Sequence, residues 1–152
     1  MPAEIRESKI TGIKAGKDVV IYQPANIYGC TLEDGVFVGP FVEIQRHTVV
    51  GAGTKIQSHC FICEYVTLGR DCFIGHGVIF ANDMFRQGRP DPDSDSWGRI
   101  TLGNNVSVGS GAKILAVTIC DGAVIGAGSV VTRDILRKGV YAGNPARLLR
   151  EL

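Results

Sequence analysis

Three polar residues within a stretch of eight are the first candidates for chemistry in this chain: His76, Asn82 and Asp83. An unperturbed imidazole titrates near pH ~6.5, so His76 is a candidate general base that accepts a proton at neutral pH. The amide oxygen of Asn82 could orient a nucleophile by accepting its hydrogen bond. Each residue also has a structural alternative, because a corner histidine often binds backbone and an aspartate at a loop start often binds nearby backbone amides.

The residues around these three follow a period of six. Nine successive positions at this spacing hold no polar residue: Leu32, Val38, Ile44, Val50, Ile56, Ile62, Leu68, Ile74 and Phe80. A helix has a period of about 3.6 residues and a half-buried strand a period of about 2, so neither explains the pattern. The period predicts an all-β parallel solenoid in which three hexads form a triangular coil of about 18 residues. Residues 18 apart would then stack at about one strand spacing, ~4.8 Å.

The period resumes after a long interruption and continues towards the end of the chain. It returns at Leu102, Val108 and Ile114, shifts by one residue to Ile119, and continues at Ile125 and Val131. We expect about five coils and a single domain over residues 1–152. The last seven residues, 146–152, are predicted to form a short C-terminal helix, because the final coil would otherwise expose a sheet edge.

Stacking at intervals of 18 residues places further polar residues beside the interruption. Arg46, Glu64 and Asn82 fall on one line, and His47, Tyr65 and Asp83 fall on the next. On the neighbouring face, His76 lies over Ser58 and beside His59. The pattern predicts a cluster of polar side chains at the mouth of a loop, which is a plausible reaction centre. Glu64 has the alternative role of an ion-pair partner of Arg46.

The interruption is a predicted loop over about residues 82–99. Phe80 and Leu102 are 22 residues apart where six would maintain the period, and a long loop in a regular scaffold is often functional. The run Asp91-x-Asp93-x-Asp95 resembles the start of a calcium-binding loop. Ser96 stands where that loop needs glycine and Leu102 where it needs a bidentate glutamate, so the sequence favours a solvated acidic loop and no metal site.

The composition of the chain bears on the partners that it binds and on its location in the cell. Sixteen basic and fifteen acidic residues give a net charge of +1, which favours neither nucleic acid nor an anionic membrane as a partner. The first six residues lack the pattern of a signal peptide, and no apolar run is long enough to span a bilayer. We therefore expect a cytoplasmic protein whose five cysteines are reduced.

Longer motifs in the chain resemble one known family. The six-residue period, the phrase DGAVIGAGSVVTRDI (121–135) and the phrase GNPAR (143–147) are similar to the hexapeptide-repeat acyltransferases. The resemblance implies a left-handed parallel β-helix, and the hand comes from the resemblance alone. The phrase GHGVIFAND (75–83) resembles a segment of the subgroup that transfers acetyl from acetyl-CoA to the amino group of nucleotide-linked amino sugars. That subgroup continues with a Pro-Arg pair where this chain has residues 84–87, MFRQ, which leaves the sugar and the nucleotide open.

The resemblance also implies roles for individual residues. It makes His76 and Asn82 the expected catalytic residues, and it implies that Asp83, Glu64, His59 and Arg86 bind the sugar substrate. A second set is expected to bind coenzyme A, with the basic members facing its phosphates: Gly109, Ala127, Arg133, Lys138, Asn144, Pro145 and Arg147. The resembling proteins are typically homotrimers with sites between chains, so a homotrimer is expected here.

Three alternatives stay open. An O-acetyltransferase that modifies a sugar or other small hydroxyl would depend more strongly on His76 as a base. A γ-type carbonic anhydrase shares this fold and holds zinc with three histidines, but spacings of 12 and 17 between the three histidines do not match that family. A non-catalytic solenoid that serves as an assembly subunit would not bind acetyl-CoA.

Overall fold

The computed structural model describes residues 3–152, so Met1 and Pro2 lie outside the described residues. The backbone winds as a parallel β-helix with three faces, and each face is a sheet of short strands stacked in parallel, apart from the last strand of the third face, which is antiparallel. No helix among residues 3–152 has the length and apolar character required to cross a bilayer.

From β1 to β19, the strands of each face follow one another at every third position in the chain order, and β20 and β21 then extend the third face. Face 1 contains β1 (Ile10–Thr11), β4 (Asn26–Tyr28), β7 (Glu43–Ile44), β10 (Phe61–Ile62), β13 (Ile79–Phe80), β16 (Lys113–Ile114) and β19 (Val130–Val131). Face 2 contains β2 (Lys14–Ala15), β5 (Thr31–Leu32), β8 (Val49–Val50), β11 (Val66–Leu68), β14 (Ile100–Leu102) and β17 (Thr118–Ile119). Face 3 contains β3 (Val20–Ile21), β6 (Phe37–Val38), β9 (Lys55–Ile56), β12 (Phe73–Ile74), β15 (Ser107–Val108), β18 (Val124–Ile125), β20 (Gly139–Gly143) and β21 (Ala146–Glu151).

The predicted β-helix is confirmed, and the number of coils is larger than expected. Face 1 has seven strands, whereas the sequence indicated about five coils. The first coils were missed because they contain 17 residues: Ile10 pairs with Ile27, and Ile27 pairs with Ile44. Counting back six residues from Leu32 leads to Asn26, which is half-buried. The residue that points inward is Ile27, so the six-residue period does not detect it.

Every change in coil length occurs at one corner, the corner between face 1 and face 2. Across the other two corners, each inward residue follows the previous one by six positions, as in the series Leu32, Val38 and Ile44. Between face 1 and face 2 the step is five from Ile114 to Ile119 and 22 from Phe80 to Leu102. This corner, residues 28–30, 45–48, 63–65, 81–99 and 115–117, is called the loop corner below.

The tail does not form the predicted C-terminal helix. Residues 146–151 form strand β21, which pairs antiparallel with β20 across the turn at Asn144 and Pro145. A helix of this length is marginal in water, whereas a strand satisfies the backbone groups that β20 would leave unpaired. The sheet edge of the last coil is therefore covered, as the sequence analysis expected, but by the β20–β21 hairpin and not by a helix.

Two kinds of inward residue fill the coil. The large aliphatic residues of the period are fully buried, among them Ile44, Ile56 and Phe80. The smaller inward residues lie at corners, where a short donor can reach a carbonyl of the next coil: Thr54 Oγ1 donates to Gly69 O at 2.8 Å and Cys60 Sγ donates to Gly75 O at 3.0 Å. Burial raises the pKa of the Cys60 thiol to about 11, so it keeps the proton that it donates.

Replacement of an inward residue tests this packing. Ile56→Ala should lower the free energy of unfolding by about 2–5 kcal/mol, because the stacked coils cannot collapse into the cavity. Lys55→Ala, the outward neighbour on β9, should change it by less than about 0.5 kcal/mol. Urea titrations at one fixed protein concentration measure both variants, and equal effects of the two would contradict the assigned faces.

Candidate functional site

His76 lies at the corner between face 3 and face 1, which we call the histidine corner (residues 39–42, 57–60, 75–78, 109–112 and 126–129). His76 Nδ1 lies 2.9 Å from Ser58 Oγ, one coil away, as the 18-residue stacking predicted. The backbone oxygen of His76 accepts a hydrogen bond from Gly111 N at 2.8 Å. The His59 ring stacks on the Phe41 ring with centroids 4.9 Å apart.

The contact with Ser58 is compatible with a base at the second ring nitrogen. When Nδ1 carries the proton and donates it to Ser58 Oγ, Nε2 retains a lone pair. The His76 side chain is exposed, so Nε2 is open to a ligand. The structural alternative, a ring bound to backbone, is not what is seen, because the His76 ring contacts the Ser58 hydroxyl.

Three glycines form a line along the histidine corner, in the coil of His76 and in the two coils that follow it. Gly77, Gly111 and Gly128 have φ values of +66°, +74° and +68°, and a methyl group added at Gly77 or Gly128 would meet no atom within 4 Å. Phe41 and His59 occupy the same position in the two preceding coils, where they carry rings. Gly77, Gly111 and Gly128 therefore form a line of backbone without side chains, which we name the glycine track. It begins in the coil that follows the coil of His59 and runs along the axis of the β-helix.

The turn at Asn144 and Pro145 lies at the far end of the glycine track. Strand β20 pairs with β18, and Gly143 N donates to Ser129 Oγ at 3.1 Å, which places the turn at the histidine corner. Four of the seven residues expected to bind coenzyme A thus share the corner of His76: Gly109, Ala127, Asn144 and Pro145. Strand spacings of about 4.8 Å give the track from Gly77 to Gly143 a length of roughly 14 Å.

The basic residues of that predicted set lie in two places. Arg133 and Arg147 line a cavity of about 210 Å³ at the C-terminal base of the coil, together with Tyr141. Lys138 lies against Gly122, at the corner between face 2 and face 3. Gly109 has a role in packing, because a Cβ there would lie 2.5 Å from Ala127 N in the next coil.

At the loop corner, polar residues that the 18-residue interval aligned contact one another. Arg46 Nε lies 3.1 Å from Glu64 Oε1, in an ion pair whose carboxylate partner is buried (11% exposed) while the arginine side chain is 59% exposed. Asn82 Nδ2 donates to the backbone oxygen of Glu64 at 2.6 Å. Gln45, which the sequence analysis did not single out, accepts a hydrogen bond from Glu64 N at 3.2 Å.

This contact fixes the orientation of the buried Asn82 amide. The backbone carbonyl oxygen of Glu64 can only accept a hydrogen bond, so it must face the NH₂ group of Asn82. The side-chain oxygen of Asn82 therefore faces away from Glu64. No buried side-chain nitrogen or oxygen among residues 3–152 lacks a hydrogen-bond partner, and no protein donor binds Asn82 Oδ1. Oδ1 is therefore an acceptor that still reaches solvent.

Three planar groups stack beside Asn82, and the sequence analysis aligned two of them but missed the third, Arg99. The His47 and Tyr65 rings are 5.2 Å apart and inclined by 7°, and the Arg99 guanidinium lies 3.6 Å from the Tyr65 centroid. The 18-residue interval aligned His47 with Tyr65. The contact of Arg99 depends on the path of the loop, for which the sequence has no periodic signal.

The loop satisfies most of its acidic groups internally. Asp83 accepts hydrogen bonds from Phe85 N and Asp91 N at 2.9 and 2.8 Å, which is the structural alternative for that residue. Asp91 and Asp93 accept from Asp93 N and Asp95 N at the start of the short 3₁₀ turn Ser94–Ser96. The carboxylates thus support turns of their own backbone, as a solvated acidic loop would.

The expected site residues fall into two groups in one chain. Asn82, Glu64, Asp83 and Arg86 belong to the loop corner, whereas His76 and His59 belong to the histidine corner. Strand β13 of face 1 separates the groups. Within one chain the three histidines also divide between the corners, since His47 stacks on Tyr65 at the loop corner and His59 stacks on Phe41 at the histidine corner.

Comparison with known proteins identifies the repeat. The family described as "Bacterial transferase hexapeptide (six repeats)" matches residues 29–64, and "Hexapeptide repeat of succinyl-transferase" matches residues 99–133. The bifunctional protein GlmU of Stenotrophomonas maltophilia is 38% identical over 107 residues, which are 70% of this chain and 21% of that protein. The chain thus spans about a fifth of the length of the curated relatives that it matches.

Two solved structures extend the comparison. A histidine-to-asparagine mutant of perosamine N-acetyltransferase from Caulobacter crescentus, in complex with CoA and GDP-perosamine, superposes with a TM-score of 0.73 at 26% identity. The similarity covers 86% of this chain and 56% of that chain. Soybean serine acetyltransferase with bound serine has a TM-score of 0.60 and 30% identity over 71% of this chain and 42% of that chain. The fold is accordingly the left-handed form of the parallel β-helix.

One contact in the loop has a measurable pH signature. Hydrogen bonds from Ser96 Oγ and Asp93 N lower the pKa of Asp91 from 3.8. Since the folded-state pKa is the lower one, the stabilisation is present above pH 3.8 and is lost as the pH falls through the lowered value. Ser96→Ala should raise the pKa of Asp91 in carboxyl NMR titrations, whereas Ser94→Ala should leave it in place. An unchanged pKa in Ser96→Ala would contradict the assigned contact.

Proposed function

Since the chain belongs to the hexapeptide-repeat family, we propose that it transfers acetyl from acetyl-CoA to the amino group of a nucleotide-linked amino sugar. The GHGVIFAND phrase (75–83) and the likeness to perosamine N-acetyltransferase support this substrate class. The proposal includes a homotrimer in the cytoplasm, which the sequence predicted.

The orientation of Asn82 carries the proposal. Its amide nitrogen donates to Glu64 O, which leaves its side-chain oxygen free to accept a hydrogen bond from an acceptor amine at the mouth of the loop. An amine presents N–H donors to such an oxygen while its lone pair attacks the thioester. In this scheme Glu64 holds Asn82 through its backbone, Asp83 holds the loop, and His59 and Arg86 are predicted contacts of the sugar.

The glycine track is the proposed path of the pantetheine arm of acetyl-CoA. Bare backbone lets an extended chain approach closely, and the track runs from His76 to the turn at Asn144 and Pro145. Gly109 and Ala127 flank it. Arg133 and Arg147 at the C-terminal base supply charge for the phosphates of coenzyme A, whereas Lys138 lies at a different corner and depends on a neighbouring chain to take part.

The proposed reaction needs no covalent enzyme intermediate. The amine nitrogen forms a bond to the thioester carbonyl carbon, the carbon–sulfur bond breaks, and coenzyme A leaves as its thiol. The proton lost by the amine is taken by Nε2 of His76, which passes a proton to the departing sulfur. If the sugar lies far from His76, water performs that transfer and Asn82 remains the essential group.

The two groups of residues require a second chain if they act together. His76 and Asn82 lie at opposite corners of face 1, so one chain alone does not place both on the same small acceptor. Apolar side chains around the histidine corner are unusually exposed, with Phe41 at 57%, Phe73 at 45% and Ile79 at 39%. We propose that these residues pack against another copy, whose loop corner then faces His76.

Mixed subunits test this arrangement. His76→Ala and Asn82→Ala homotrimers should each lose at least about tenfold in kcat/KM. Subunits of the two variants, unfolded and refolded together at equal amounts, should regain about one quarter of the wild-type activity, because one interface in four pairs an intact His76 with an intact Asn82. Activity that is not regained would mean that both residues act within one chain.

An acceptor screen tests the reaction itself. The protein is incubated with acetyl-CoA and either nucleotide-linked amino sugars, free amino sugars or hydroxyl acceptors including serine, and thiol release and acetylated products are measured. We expect turnover with a nucleotide-linked amino sugar. Turnover only with hydroxyl acceptors would favour the O-acetyltransferase, which the likeness to soybean serine acetyltransferase supports, and His76→Asn should then abolish it.

A further inference from the structure

Arg99 is held in a fixed position beside the proposed acceptor site. Its guanidinium lies over the Tyr65 ring at 3.6 Å from the centroid, and Tyr65 is stacked in turn on His47. A cation over an aromatic face is attracted by the ring quadrupole, and the planar guanidinium stacks well in this geometry. The stack thus restricts a side chain that would otherwise sample many rotamers.

The backbone next to Arg99 is also restrained. Gly98 N donates to Asn82 O at 2.9 Å, so the loop closes on Asn82 at the residue before Arg99. A Cβ at Gly98 would lie 2.3 Å from Ala116 Cβ, which leaves no space for another residue at this point. Arg99 therefore emerges directly beside the amide that is proposed to hold the acceptor amine.

The charge of Arg99 has no protein partner among residues 3–152. Arg46, which lies on the same corner, is by contrast paired with the buried Glu64. The ion pairs of residues 3–152 do not include Arg99, which is an exposed residue. Cation–π contact uses the face of the guanidinium and leaves its N–H edge free to donate hydrogen bonds.

The two rings that hold Arg99 occupy strained backbone positions. Gly12 and Gly29 take the left-handed conformation at this position in the first coils, and His47 and Tyr65 take it with φ of +62° and +64°. The left-handed region is unfavourable for a residue that carries a Cβ. Rings replace glycine only in the two coils next to the loop, where they support Arg99.

We propose that Arg99 binds the diphosphate of the nucleotide-linked acceptor and thereby selects it over the free amino sugar. A preorganised guanidinium edge donates two parallel hydrogen bonds to phosphate oxygens, and its charge is not neutralised by the protein. The inference rests on the proposed function for the identity of the sugar. The binding of a diphosphate to Arg99 can be tested without any transfer of acetyl.

The first experiment measures binding by calorimetry. Uridine, guanosine and thymidine diphosphates are titrated into the wild-type protein and into Arg99→Gln, Arg99→Lys and Arg70→Gln, the last being a matched loss of charge at the corner between faces 2 and 3. The best nucleoside diphosphate should bind Arg99→Gln about 10- to 100-fold more weakly, because a charge-assisted hydrogen-bond pair is lost. Arg99→Lys should lie between, and Arg70→Gln should match the wild type.

The second experiment separates selection from structural support of the loop. In Arg99→Gln, kcat/KM should fall for the nucleotide-linked amino sugar and stay unchanged for the same amino sugar without its nucleotide. Tyr65→Phe keeps the stack and should resemble the wild type, whereas Tyr65→Leu should reproduce part of the Arg99→Gln defect. Thermal unfolding checks that each variant is folded.

The outcomes separate the two proposals. If no nucleoside diphosphate binds the wild type, or if Arg99→Gln binds it equally well, the role of Arg99 is overturned. An equal loss with both acceptors would also overturn it, because Arg99 would then only support the loop. If a diphosphate binds through Arg99 and no amino sugar is acetylated, the proposed function fails and the diphosphate site stands.

Discussion

Backbone hydrogen bonds between successive coils are the constraint on which the rest of this structure depends. Strands of two or three residues pair with the strand one coil away on all three faces, so each coil is placed by its neighbours. An insertion inside a face would shift that strand out of register with the strands on either side of it. The fold therefore favours changes of length where the chain turns, and among residues 3–152 the coils change length at the corner between face 1 and face 2.

This constraint divides the proposed site into two parts of different character. The histidine corner has the same length in every coil, so a residue type repeated there forms a continuous line, as Gly77, Gly111 and Gly128 do. Such a line suits an extended ligand. The loop corner tolerates a long excursion, whose neck brings Gly98 onto Asn82 and Arg99 onto Tyr65. That corner is suited to binding a single chemical group of a ligand through contacts with side chains that do not repeat along the coil.

The sequence located many of the site contacts because the period converts distance along the chain into proximity. His76 and Ser58, Arg46 and Glu64, and His47 and Tyr65 were all placed by one interval and all make contact. The same reasoning failed where the interval changes. It overlooked the 17-residue coils at the start. It also assigned a helix to residues 146–152, where pairing of residues 146–151 with β20 outweighs the local preference of a short segment.

The sequence by itself determined the coil, its inward residues and the position of the loop, because the six-residue period records which side chains must avoid water. The tertiary structure alone decided three other features: the side of Asn82 that faces solvent, the partner of Arg99, and the separation of His76 from Asn82 across face 1. These depend on the path of a non-repeating loop and on which corner each residue reaches. A repeat specifies what stacks on what, whereas the direction of a single amide or guanidinium is set by the few non-repeating groups around it.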